Sequence, residues 1–126
     1  MRWVVVVTND RWRGVIVSES LKEPSQIDDF EVFRAKISKK DLDLGEGKQG
    51  RWHLYYVHAT DSQIGGLLRR VKPGWYCHFW RGNRLLVVFP GKRFEMLVND
   101  KSTWKDAVEY GRSVGIPDEE LDFQTE

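Results

Sequence analysis

Three histidines, His53, His58 and His78, and a single cysteine, Cys77, are the side chains of this 126-residue chain best suited to hold a metal or to serve as nucleophile and base. Their spacing argues against both roles. His53 and His58 stand an odd number of residues apart in RWHLYYVHA, a stretch of strand composition, so they point to opposite faces; adjacent Cys77 and His78 do the same. There is no CxxC, HxxxH or HExxH pairing, which leaves only a meeting across strands. Inside WYCHFW, Cys77 reads as a small buried hydrophobe rather than a thiolate. A GxSxG elbow, a Gly-rich phosphate loop and a P-loop lysine are all missing. His58 and Asp61 could form an oriented acid–base pair, although Asp61 also suits the N-cap of the helix that follows it. The reading is therefore a binding or regulatory protein rather than an enzyme, with no catalytic residue, metal or cofactor assigned.

Binding has more support. If WYCHFW is a strand, Tyr76, His78 and Trp80 form one row and Trp75, Cys77 and Phe79 the other. Arg81, Arg84, Lys92 and Arg93 sit at the adjoining turns, and Arg69, Arg70 and Lys72 at the end of the preceding helix. Rings on a sheet with cations at its rim are what single-stranded nucleic acids use, bases stacking and phosphates pairing. Charge distribution fits such a polyanion face: residues 67–105 hold nine Lys/Arg against two Asp/Glu, and residues 106–126 one against seven. The same blocks also neutralise each other if the acidic segment 116–126 folds back over the sheet. No RRM, KH or cold-shock motif is present.

A protein-interaction or small-ligand module is the alternative. Six tryptophans are many for a chain of this length, and Trp with Arg dominates interface energetics. Trp12, between Arg11 and Arg13 in a loop, is the candidate partner-binding residue, and an exposed edge strand would favour a homo-oligomer.

These side chains need a scaffold, and the sequence outlines one domain over 1–126. Forty per cent hydrophobic content and 13% aromatic content suffice for a core. RWVVVVT at 2–8 and GVIVS at 14–18 read as a hairpin. Residues 30–38 suit a helix face but also alternate as a strand, which is the favoured reading, and the glycine-rich 39–50 reads as a mobile loop. After RWHLYYVHA comes a helix carrying Ile64, Leu67, Leu68 and Val71 on one face, with Gly65 and Gly66 each costing about 1 kcal/mol. WYCHFW, RLLVVF and KRFEMLV then form a meander turned at Gly82-Asn83 and Pro90-Gly91. Ser102 or Thr103 caps a last helix that Gly115 stops. The expected fold is α+β: a largely antiparallel sheet of about six strands with two amphipathic helices packed on one face. A lone cysteine and no long apolar run predict a cytoplasmic protein that does not enter the membrane.

PGWYCHFW, RLLVVFPGKRFEM and STWKDAVEYGRSVGIPDEELDF together resemble a group of small prokaryotic proteins with a PGWYxHF segment and a closing TWxxAxEYGxSxGIPxExLDF signature. The resemblance covers roughly residues 72–123. It implies a single-domain cytoplasmic protein and transfers no activity or catalytic residue; the group has a small residue where this chain has Cys77.

Overall fold

In the computed structural model, which describes residues 11–125, the strand-forming runs assemble into one six-stranded sheet in the order β2-β5-β1-β6-β7-β8, every neighbouring pair antiparallel. The strands are β1 (Trp12–Val17), β2 (Glu31–Ile37), β5 (His53–Ala59), β6 (Cys77–Arg81), β7 (Arg84–Phe89) and β8 (Lys92–Leu97). β3 (Leu42–Gly45) and β4 (Lys48–Gly50) make a separate two-stranded sheet. The helices are α1 (Asp61–Leu67) and α2 (Lys105–Ser113). The chain is thus a single α+β unit on an antiparallel sheet, as its pattern predicts.

Alternation along the strands sorts the side chains into two cores. Trp12, Ile16, Val57, Ala59, Cys77, Phe79, Leu86 and Val88 share one face with Ile64 and Leu67 of α1. Trp80, Leu85, Val87, Phe89 and Met96 share the other with Ala107 of α2, Trp104, Ile116, Leu121 and Phe123. The helices therefore lie on opposite faces, not together on one. The cause is topological. β5 and β6 flank β1 and run parallel to each other, so their connection must cross β1, and α1 crosses it on the first face. The chain leaving β8 returns over the second, which is why Leu85–Phe89 of β7 are all buried.

Other local expectations are corrected. The strand read at 2–8 lies outside the described residues, and its supposed hairpin partner β1 already has β5 on one side and β6 on the other. Trp12 and Arg13 belong to β1 rather than to a loop. The stretch 30–38, by contrast, holds a strand as favoured, β2, exposed along its whole length. The stretch 39–50 holds the β3–β4 hairpin, because Gly45, Glu46 and Gly47 accept positive φ angles and turn the chain. α1 is capped by Thr60, whose hydroxyl accepts from Gln63 N while the Gln63 side chain accepts from Thr60 N. Asp61 is not the cap. The helix ends at Leu67, and Val71 instead bridges to Leu21. A Cβ on Gly65 or Gly66 would meet nothing, so their cost is not offset by close packing. Asp100, rather than Ser102 or Thr103, caps the turn leading into α2. Among the described residues no helix is long and apolar enough to cross a membrane.

Candidate functional site

The Tyr76, His78 and Trp80 row lies on the α2 face, and the C-terminal segment straps it down. Pro117 sets the segment's direction and one short turn, Asp118–Glu120, delivers Leu121 and Phe123 to the core. Phe123 stands edge-on to Tyr76 at 5.3 Å and packs on Trp104 at 5.3 Å. The Tyr76 hydroxyl donates to the Glu120 carbonyl, and His78 Nε2 lies 2.7 Å from the Gln124 carbonyl. Because a carbonyl only accepts, Nε2 carries the proton. Burial holds the His78 pKa below its ordinary value, against the opposing pull of the Gln124 carbonyl and Asp122. Trp80 is buried, and Tyr76 and His78 are half-buried beneath the strap.

The cations read with that row are dispersed. Arg81 and Arg84 flank the β6–β7 turn, Lys92 and Arg93 the β7–β8 turn, and the six residues of β7 hold the two turns about 20 Å apart. Arg84 grips Glu95 with two hydrogen bonds of 2.9 and 3.0 Å, and both Arg81 and Arg84 lie over the Trp12 ring. Arg70 pairs with Asp29, and Lys92 lies over Tyr110. Arg69 and Arg93 are exposed. No rim forms around the row.

Trp12, read as a partner-seeking loop residue, is 1% exposed and donates from Nε1 to Asp61 Oδ1 at 2.7 Å. Arg11 pairs with Glu31, and Arg13 lies 5.7 Å from the Phe33 ring. Asp61 is thus taken by Trp12 rather than oriented toward His58. His53 Nδ1 meets Glu19 Oε2 at 2.6 Å, His58 stacks on Phe33 at 4.6 Å, and His78 is under the strap. Among the described residues no three His, Cys, Asp or Glu side chains are grouped to hold a metal. Cys77 is fully buried beside Ser20, and burial pushes its thiol pKa up to about 12.

What the structure adds is a cavity of about 320 Å³ beside the strapped row, where α2 no longer covers the sheet. Val15, Val17 and Leu54 floor it, Trp52 and Trp75 stand at its wall with ring centres 5.1 Å apart, and residues 116–124 form the opposite side. Trp52 is fixed by donating from Nε1 to the Asp43 carbonyl of the β3–β4 hairpin. Glu119, Glu120 and Asp122 are the charged groups of the lining. Burial first, then the charges of Asp43 and Glu119, raise the Glu120 pKa. None of this lining except Tyr76 and His78 stood out in the sequence. The available signal was the pair of tryptophans at strand ends, Trp52 and Trp75.

A second surface lies on the outer part of the same sheet face. Phe33 is 44% exposed, packed between His58 and Arg13, and Arg34 and Lys36 lie 4.9 and 5.9 Å from the Tyr56 ring. Comparison of the chain with protein-family models, curated proteins and solved structures finds no match.

Proposed function

We propose that the protein is a non-enzymatic binding domain that holds a small molecule in the cavity between β1, β5 and the C-terminal strap. The observation that carries this reading is the cavity itself: about 320 Å³, apolar-floored, walled by two tryptophans, with a few polar groups at its edge. Small-ligand sites have this size and this mix of lining. A regulatory role follows if the ligand also tightens the strap, since Tyr76 and His78 both line the cavity and bond to strap carbonyls. Screening a fragment library by heteronuclear NMR tests it. The expected hits shift the Trp52 and Trp75 indole signals together with Val15, Val17 and Leu54; hits confined to other surfaces sink the reading.

Single-stranded nucleic acid or another polyanion is the second reading, now centred away from the row that the strap covers. The exposed Phe33 ring, with Arg13 beside it and Lys36 nearby, favours it. Binding would weaken steeply with salt and drop on Phe33→Ala. Titration with a mixed-sequence oligonucleotide at low and high salt decides: no salt-sensitive signal at tens of micromolar ends this reading. A homo-oligomer joined along the exposed β2 edge is compatible with either, and sedimentation at several concentrations reads it. A cytoplasmic setting is supported by the single buried cysteine.

A further inference from the structure

The charges around the cavity are one-sided. Glu119, Glu120 and Asp122 line it, and among the described residues no Lys or Arg does. Four acids elsewhere pair with arginines: Asp29 with Arg70, Glu31 with Arg11, Glu95 with Arg84, and Asp118, one residue before Glu119, with Arg112. Among the described residues no Lys or Arg forms an ion pair with Glu119, Glu120 or Asp122. The one imidazole in the lining, His78, donates from Nε2 to the Gln124 carbonyl, and burial holds its pKa below the ordinary value. An anionic ligand would meet repulsion from these three carboxylates.

The walls decide what kind of cation fits. A hard metal ion takes a shell of oxygen ligands, and no such group of carboxylates is assembled among the described residues. The floor of Val15, Val17 and Leu54 instead suits hydrocarbon, and the tilted Trp52–Trp75 pair supplies indole rings, which attract ammonium ions more strongly than any other aromatic side chain. Resting on the cavity as the binding site, we propose that its ligand is an organic ammonium ion, its charged head set between the Glu119, Glu120 and Asp122 carboxylates and the Trp52 and Trp75 rings, its apolar body on Val15, Val17 and Leu54. Held in this way, the ligand bridges the strap and the sheet.

Three probes of one shape and different charge test it: choline, its neutral carbon analogue 3,3-dimethylbutan-1-ol, and the anion 3,3-dimethylbutanoate, each titrated while Trp52 and Trp75 indole signals are followed by NMR. Choline is expected to bind roughly three- to thirtyfold more tightly than the alcohol, the range that cation–π attraction provides, and the anion most weakly. Glu120→Gln should reduce choline affinity by a larger factor than alcohol affinity, and Trp75→Leu should reduce the preference for choline. If the alcohol binds as well as choline or better, the ammonium is wrong while the cavity stands as a binding site. If none of the three moves either indole, the ammonium and the cavity reading fall together.

Discussion

Trp12 and Asp61, 49 residues apart, tie the central strand to the first turn of α1 through a 2.7 Å hydrogen bond from the indole Nε1 to the carboxylate. The ring is otherwise enclosed, with the guanidinium groups of Arg81 and Arg84 at 4.5 and 5.0 Å over it. Removing the ring and removing the hydrogen bond should therefore have different costs. Trp12→Ala deletes a fully buried side chain and is expected to cost about 3–5 kcal/mol. Asp61→Ala frees an indole donor but deletes an exposed carboxylate, and is expected to cost about 1 kcal/mol. Urea unfolding of the two variants checks this; equal midpoints would show that the ring carries no packing.

Gly14 faces Phe79 across β1 and β6, and a Cβ there would stand 2.1 Å from the Phe79 ring. Phe79 is fully buried and cannot swing aside. Gly14→Ala should therefore destabilise by about 1–3 kcal/mol through overpacking. Shrinking the ring in the double variant Gly14→Ala/Phe79→Leu should recover part of the loss relative to the sum of the single changes. A purely additive double mutant, measured by denaturant unfolding, would contradict the contact.

The division of WYCHFW into two rows was readable, because period-two alternation is local. Which row would be covered was not: both are, and the segment covering Tyr76, His78 and Trp80 lies more than 40 residues further along. One sign of this was available in RLLVVF. Five consecutive apolar residues rather than an alternating set mark a strand buried on both faces, and that argues against two helices on one side. The acidic end does fold back, as its charge allowed, and Leu121 and Phe123 anchor it in the core. Glycines at 45, 47 and 50 suggested a loop, and two of them turn a hairpin. The cavity was not legible, because Trp52, Trp75, Val15 and Glu120 meet only through the sheet order and the strap.

Cys77 offers a test of how tightly the first core is closed. Its thiol is buried against Ser20, and burial pushes its pKa up to about 12, so almost no thiolate forms near neutral pH. An aromatic disulfide reagent should leave the native protein unlabelled on the timescale in which it fully labels the protein in urea. The labelling rate should rise in step with unfolding. Prompt native labelling would mean that the face between β6 and α1 opens locally.

The strap and His78 are linked through protonation. Burial under Phe123 and Gln124 lowers the His78 pKa, so between that value and about 6.5 the unfolded chain binds a proton that the folded protein refuses. Stability from this group is complete above about pH 6.5 and falls as the pH drops below it. Glu31, Glu95 and Asp118, whose pKa values are lowered by Arg11, Arg84 and Arg112, lose their contribution only below their ordinary carboxylate values, in a more acid window. Glu120, with a raised pKa, acts in the opposite sense, and a Glu120→Gln background removes it. In that background, unfolding free energies measured from pH 7.5 down to about 5 should decline below about 6.5, and His78→Gln should flatten the decline. Phe123→Ala should loosen the strap, return the His78 ring titration toward about 6.5 by NMR, and flatten the slope as well. A His78 that titrates at its ordinary value in the intact protein would show that the strap does not exclude water from it.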